Sequence, residues 1–379
     1  MILVINDYPY IQGGASKVAI LQARQLADSN KKVLFFSIQD GLPDQRLLHP
    51  NIKIEFFRAS NIRLIKLMLM VFNPFALLSL QKLIKIYRND LEKIFIHSWT
   101  KTLSPSVFLS LRGLTTHFFL HDYFIKCPNG GLHNYNLESH CDLKPMSLKC
   151  LKTNCDKDSY FIKVLRFIRH LIFKSSMKLI QSKFIFLSKH QQEILKLSGE
   201  VIKNKIDIVE IPNELKQTNS FVYVGRLDPE KGIKQLVDVI ASSNLSINII
   251  GDGKYFNYKA SGDIIYHGWL PSDSFLPIVS SSRYAVFPSI WYEVDPLTPW
   301  EIMSLGVPVI SSIDNLFGLY FKDYFPELVY SNDLKNKIDQ LNNLDYQELS
   351  NKVKIFAIDE IQKRNNNWAL KISDAKSFI

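Results

Sequence analysis

Short runs rich in Ile, Val and Phe recur along the chain, separated by segments of helical length with apolar residues on one side. In the first half the runs are ILVIN, KVLFFS, IKIEFF, KIFIHS, TTHFFLHD, KFIFLS and IDIVEI; in the second they are FVYVG, INIIG, IIYHG, YAVFPS and VPVISS. Near-continuous apolar strands alternating with helices predict parallel sheets covered on both faces. Each half has enough strands for its own doubly wound α/β sheet. The polar stretch over 211–220, punctuated by Pro212 and Asn213, marks the boundary, with a first domain over 1–212 and a second sheet starting at Phe221. The rhythm breaks once, between Tyr123 and Tyr160, which predicts an irregular insertion over 123–160. From Tyr346 onward the chain reads as a helix, polar on one side, with Trp368 as its anchor.

Composition adds little to that picture, and charge adds more. With 379 residues, 46% of them apolar and 22% charged, the chain is globular, and four cysteines exclude a disulfide-built miniprotein. The formal charge of +10 predicts an anionic partner. It is unevenly spread: residues 1–180 hold 25 Lys+Arg and 12 Asp+Glu, residues 181–379 hold 21 and 24. The halves are therefore expected to face different partners. The first residues, MILVIN, carry no basic region and read as a buried strand. The longest apolar stretch, Leu64 to Leu80, is interrupted by Lys66 and Asn73-Pro74 and falls short of the roughly 20 residues a spanning helix needs. A cytoplasmic protein is expected, with contact to a membrane surface open.

Ligands of doubly wound sheets bind at the carboxyl ends of strands, so the residues that follow each strand carry the candidate chemistry. After FVYV comes GRLDPEKG, residues 225–232. Asp228 suits an N-cap and Pro229 the first helical position, which places Lys231 in the opening turn of the next helix. A cation there opposes the helix dipole, so Arg226 and Lys231 are better explained by a bound anion than by local stability. In WYEVDPLTPWEIMSLGVPVI, residues 291–310, two prolines separate Glu293 from Glu301 and start a helix near Pro299. Thr298-Pro-Trp-Glu301 fits a capping box; a carboxylate in that turn also suits the two hydroxyls of a ribose. Spacing alone leaves Glu301 open between these roles. Glu293, on the loop, has no comparable structural reason and is the stronger ligand candidate.

Two further segments follow strands. The Gly13-Gly14 turn opens a helix and allows close approach of a ligand to its backbone, though it matches neither a P-loop nor a dinucleotide fingerprint. Gly251 and Gly253 in IIGDGK form an equally unspecific turn. His121 and Asp122, after TTHFFL, can bind, orient or exchange protons with a hydroxylated substrate.

In this order the segments GGASKVA, HDY, FLSKHQQE, IPN, GRLDPEKG, IIGDG, HGWL and FPSIWYE, with the Glu-x7-Glu pair and trailing GVPVI, resemble the retaining nucleotide-sugar glycosyltransferases of family 4. The pairing of GRLDPEKG with Glu-x7-Glu is the specific part. The resemblance implies the GT-B fold: two Rossmann-like domains facing across a cleft, the second over 213–360, and a closing helix over 361–379 that returns to the first domain. It implies that Arg226 and Lys231 neutralise the donor diphosphate, Glu301 holds the ribose, Glu293 contacts the donor sugar, and the Gly13-Gly14 loop closes over phosphates and sugar. His121 would lie beside the transferred sugar. Asp122, Gly253, Pro296, Leu297 and Thr298 count among the substrate-binding positions. Where the family usually has Phe-Gly after the first Glu, this chain has Val294-Asp295-Pro296. The implied reaction is hexosyl transfer with retention, for O-antigen, capsule or related polysaccharide assembly. Fixed cations would stabilise the departing diphosphate, so the chemistry itself calls for no cofactor.

All four cysteines, Cys127, Cys141, Cys150 and Cys155, fall in the insertion. Structural zinc is one reading; free thiols or oxidised pairs are the other, since the spacing lacks a CxxC knuckle. Asp156-Lys157-Asp158, which mimics a metal-binding DxD, reads as surface charge. Two segments of the first half pair apolar faces with cations: Arg63 to Arg88, and the helix over 160–178, where Lys163, Arg166, Arg169, Lys174 and Lys178 alternate with large apolar residues. Much of that pattern suits packing on a sheet, and basic amphipathic helices also lie on anionic bilayers. The expected partners are a UDP- or GDP-sugar, a lipid-linked or oligosaccharide acceptor and an anionic membrane surface on the inner face of the cell membrane. Nucleic acid is not expected, because no recognised module appears. The competing readings are an NAD-dependent oxidoreductase, which would need GxGxxG after a strand, and a non-catalytic glycan- or nucleotide-binding relative.

Overall fold

The structure is a computed structural model and describes residues 1–58, 60, 62–208 and 217–373. The boundary expected at 212/213 and the IPN segment lie outside the described residues. The chain forms two compact units, one of residues 1–136, 141–205 and 367–379, the other of 137–140 and 206–366.

The first unit is built on seven parallel strands, β1 (Ile2–Ile5), β2 (Val33–Gln39), β3 (Ile52–Arg58), β4 (Lys93–Ile96), β5 (Thr115–Leu120), β8 (Gln181–Phe186) and β9 (Glu200–Val201), in the order β3-β2-β1-β4-β5-β8-β9. Two-residue strands β6 (His133–Asn134) and β7 (Ser139–His140) lie in the insertion. Six of the expected runs are strands. Of the seventh, IDIVEI, residues 206–208 lie outside any strand and 209–211 fall outside the described residues; the edge position is taken by β9. The central strand β1 is buried at every residue, as a strand covered on both faces must be.

Helices α1 (Gly14–Asp28), α2 (Arg63–Val71), α3 (Pro74–Tyr87), α4 (Leu148–Lys152), α5 (Tyr160–Met177) and α6 (Lys189–Leu195) complete this part of the chain. Asn73 separates α2 from α3: its side chain caps Ala76 N–H at 3.0 Å and donates to Thr102 O at 2.7 Å, and Pro74 opens the new helix. Among the described residues no single helix is long and apolar enough to cross a membrane; α2 and α3 together pass that test but are bent by 50°.

The second unit carries β10 (Phe221–Val224), β11 (Ile247–Ile250), β12 (Ile264–Gly268), β13 (Tyr284–Phe287), β14 (Val309–Ser312) and β15 (Val329–Tyr330), all parallel, in the order β12-β11-β10-β13-β14-β15. Its helices are α7 (Ile233–Ala241), α8 (Ser272–Ser281), α9 (Thr298–Ser304), α10 (Leu316–Phe321) and α11 (Leu334–Gln340). The last helix, α12 (Tyr346–Ser373), is a single 28-residue element. Arg364 on α12 pairs with Asp295 at 2.8 Å, both nearly dry, and its guanidinium lies 4.2 Å from the Trp300 ring centroid. Asp295, where the sequence departs from the family pattern, is thus the anchor of α12.

Past residue 366 the helix belongs to the first unit, where Trp368 is fully buried with its ring 5.6 Å from Phe119. Two residues on, Leu370 is 72% exposed. Trp368→Ala is expected to cost about 3–5 kcal/mol and to lower the urea midpoint, whereas Leu370→Ala should stay within about 0.5 kcal/mol of the parent.

Candidate active site

In each sheet the strand order reverses once, between β1 and β4 and between β10 and β13. Loops diverge at such a switch point and leave room for a ligand at the carboxyl ends of the strands. In the second unit these loops hold Arg226 and Lys231 after β10 and Glu293 after β13.

Packing between loops fixes the first of them. Leu227 N–H donates to Asp252 O at 2.9 Å, and Tyr223 Oη to Arg226 O at 2.7 Å. A Cβ on Gly251 would stand 1.9 Å from Gly225 O, and one on Gly253 2.8 Å from the Leu227 backbone. Both glycines therefore let two loops lie against each other. Gly253, a candidate substrate contact, has this packing role in the structure.

Pro229–Lys231 form a single 3-10 turn, and Gly232, at φ +68°, breaks it from α7. A side chain on Gly232 would collide with Pro288 O at 2.0 Å. Lys231 thus precedes α7, a correction to its expected place in the opening helical turn. Asp228 caps nothing; its carboxylate accepts from Arg226, which also reaches buried Glu230 at 3.0 Å.

The Lys231 ammonium pairs with Glu293 and lies 5.2 Å from the Trp291 ring centroid. Ser289 Oγ donates to the same carboxylate at 2.8 Å, and Asn315, the cap of α10, holds Ser289 O at 3.0 Å. Burial alone would raise the Glu293 pKa, but the Lys231 charge and the hydrogen bonds outweigh it and hold the carboxyl below its ordinary value. A solvated surface lysine, the plain reading of Lys231, is excluded. Thr298 is the first residue of α9, whose N-terminus has no side-chain cap, so the capping box that the spacing allows does not form. Glu301 occupies the first turn of α9, Leu297 is buried and Pro296 follows the anchoring Asp295.

In the first unit, Gly13 and Gly14 open α1, whose N-terminus has neither a side-chain cap nor an acidic residue in its first turn. Sequence reasoning missed Asp7, although its position just after β1 was a signal. This buried carboxylate accepts the N–H groups of Lys101, Thr102 and Leu103 at 3.1, 2.9 and 3.0 Å, binding the loops after β1 and β4 together. His97, also missed, follows β4 and meets His121 at 2.9 Å. Burial pushes the His121 pKa down to about 3. Asp122 accepts the Phe124 N–H at 2.8 Å, and burial raises its pKa to about 7 against the opposing Phe124 hydrogen bond and Arg169 charge.

The basic face of α5 points inward, contrary to its reading as a bilayer-facing stripe. Lys163, Arg166 and Arg169 are buried and hold the insertion. Arg166 pairs with Asp156 at 2.7 Å and Asp158 at 2.7 Å, and Arg169 donates to Thr100 O and Pro128 O. Asp156 is therefore a buried counter-ion and not surface charge. Lys163 Nζ lies 2.7 Å from Cys155 Sγ and 3.1 Å from Thr153 O, and Cys127 Sγ donates to Asn129 Oδ1 at 3.0 Å. Cys127, Cys141, Cys150 and Cys155 are free thiols, and among the described residues no group of three or more His, Cys, Asp or Glu is arranged to hold a metal ion.

Residues 204–360 match the family model for glycosyl transferases group 1. That segment is a glycosyltransferase domain. The chain is 30% identical over 102 residues to an uncharacterized 41.2 kDa protein of the cps region of Klebsiella pneumoniae, a match that spans 26% of this chain and 28% of that protein. Whole-chain similarity is structural. Anabaena Alr3699/HepE, solved with UDP and glucose, aligns at TM-score 0.66 and 16% identity over 98% of this chain and 99% of its own. Sucrose-phosphate synthase of Thermosynechococcus elongatus aligns at 0.68 and 16% over 98% and 96%. WaaG, a glycosyltransferase involved in lipopolysaccharide biosynthesis, aligns at 0.58 and 12% over 100% and 96%. At these identities the likeness establishes the fold, which is GT-B.

Four histidines, three of them buried and His121 half-buried, set the acid stability. Burial lowers His97 well below 6.5, His117 to about 4, and His121 and His170 to about 3. The unfolded chain takes up these protons near pH 6.5 and the folded chain does not, so stability falls as the pH drops below 6.5. Asp122 acts with the opposite sign: protonated in the fold up to about pH 7, it contributes stability that is lost as the pH rises toward 7. With four groups against one, the melting temperature is expected to fall from pH 6.5 to 4.5, and Asp122→Asn to steepen that fall.

Proposed function

We propose that the protein transfers a hexosyl group from a nucleoside-diphosphate sugar to a saccharide acceptor in the assembly of a surface polysaccharide. The observation that carries this reading is the junction of Lys231 and Glu293 across the switch point of a glycosyl transferases group 1 domain. Before the donor arrives, Glu293, Asp228 and Glu230 hold the two cations in place. The donor diphosphate takes over Arg226 and Lys231, Glu301 accepts the ribose hydroxyls, and Glu293 turns to the donor sugar, with Pro296, Leu297 and Thr298 alongside. The bond from sugar C1 to the diphosphate oxygen breaks with its electron pair leaving on the phosphate. The acceptor oxygen bonds to C1 on the same face, so configuration is retained, and its proton passes to the departing phosphate. Fixed positive charge favours that departure. Gly13-Gly14 and the uncapped N-terminus of α1 suit an anionic donor, and His121 and Asp122 suit its sugar hydroxyls.

UDP is the favoured donor nucleotide, by analogy with HepE, whose structures contain UDP and UDP-glucose. A thermal-shift panel of UDP, GDP and NAD tests it. At 100 times its dissociation constant a ligand adds about 2.7 kcal/mol of stability. Stabilisation by UDP that is lost in Arg226→Gln is expected; a response to NAD alone overturns the assignment. Arg226→Gln is the cleaner variant, because Lys231→Ala also strands the buried Glu293 carboxylate, at about 3–5 kcal/mol.

The acceptor is proposed to be lipid-linked, with the first unit resting on the inner face of the membrane. Exposed apolar side chains of α5 and α2, and not the buried cations Lys163, Arg166 and Arg169, support that contact. The outward face of α5 carries Phe161, Ile168 and Leu171, the packed neighbour α2 exposes Leu64 and Met68, and exposed Lys66, Lys174 and Lys178 accompany them. Apolar side chains beside lysines suit the interface of an anionic bilayer. Co-sedimentation should recover more protein with phosphatidylglycerol-containing vesicles than with neutral ones, and Met68→Glu with Phe161→Glu should abolish the difference. Equal recovery from both vesicle types counts against the docking.

A further inference from the structure

A chain of three side chains in the first unit, the first two of them buried, ends on half-buried His121. Gln22, two turns into α1, is fully buried, and its Oε1 lies 2.6 Å from His97 Nε2. His97 is 5% exposed, and its Nδ1 lies 2.9 Å from His121 Nε2. The His97 ring is stacked on Phe119, centroids 4.5 Å apart and planes within 8°, so it cannot turn freely.

Proton placement follows from the donors and acceptors available. A carboxamide oxygen only accepts, so His97 Nε2 carries a hydrogen. A neutral imidazole has one N–H, which leaves His97 Nδ1 as an acceptor; the hydrogen between the rings then comes from His121 Nε2. That leaves Nδ1 of His121 bare. Dry surroundings keep both rings neutral.

Gln22 is a poor choice for stability alone. Its Nε2 has no hydrogen-bond partner, and a buried unpaired amide costs about 1–3 kcal/mol. A polar group kept at that cost inside a helix–sheet interface points to a role for the oxygen that does bond.

We infer that Gln22 and His97 are positioning residues that lock His121 into the tautomer whose Nδ1 accepts a hydrogen bond. His121 then recognises a substrate hydroxyl only as a donor, and it favours a sugar bearing that hydroxyl over its deoxy analogue. This rests on the proposed function for the identity of the substrate, but the lock itself does not.

The test has two arms. Histidine 15N spectra of the unliganded protein, assigned with His97→Phe and His121→Asn, should show His121 Nδ1 unprotonated and Nε2 protonated. In Gln22→Met, which keeps the volume and drops the oxygen, both His121 signals should move toward the average of the two tautomers. A proton on His121 Nδ1 in the native protein, or an unchanged spectrum in Gln22→Met, overturns the lock. The native spectrum needs no stable variant at Gln22. In the second arm, release of UDP from UDP-glucose should lose about 10-fold in kcat with KM changed less than about 2-fold in Gln22→Met and in His97→Phe, since a misplaced proton weakens the transition state more than binding. Unchanged kcat in both overturns the role. If native protein releases no UDP, the donor assignment fails, and the spectra still decide the lock.

Discussion

The ion pair between Lys231 and Glu293 holds the second unit's candidate site together. Neither charge could be buried alone: each would lose several kcal/mol of hydration, and only a close partner with further hydrogen bonds offsets that loss. The pair therefore requires the loops after β10 and β13 to approach, which in turn requires Gly232 against Pro288 and Gly251 and Gly253 against the backbone of the neighbouring loop. Ser289 and Asn315 extend the same requirement to the loop before α10. A lysine at the end of one strand and a glutamate at the end of another thus specify four loops.

The same rule organises the first unit. Lys163, Arg166 and Arg169 lie one helical turn apart along the inner face of α5, and each is met by groups of the insertion or the loop after β4: a thiol, two carboxylates, three carbonyls. An insertion with almost no regular structure is fixed by buried charge where a sheet would be fixed by its ladder. Asp7 does the reverse, a buried carboxylate met by three backbone N–H groups. Arg364 and Asp295 repeat the device where α12 crosses α9.

Much of this was legible in the chain. The alternation of apolar runs and helical lengths located eleven of the strands, because a strand buried on both faces must be apolar throughout, and the second sheet's residues after β10 and β13 were singled out from topology. The failures are of one kind. A charged side chain carries no mark of its partner, so nothing local distinguishes Lys163, Arg166 and Asp156, which are buried and paired, from solvated or bilayer-facing charges. Thr298 and Glu301 have the spacing of a capping box, but the backbone starts the helix a residue earlier. His97 and Gln22 passed unnoticed, since 75 residues separate them and nothing local distinguishes either.

Periodicity and strand-end position are local properties, and they were enough to mark the fold class, the two-sheet organisation and the candidate residues Arg226, Lys231, Glu293, Glu301 and His121. Tertiary structure alone decided which charges are paired and which way α5 faces. Pairing depends on residues tens of positions apart arriving within about 3 Å of each other, and the burial that makes such pairing necessary exists only after the sheets have formed.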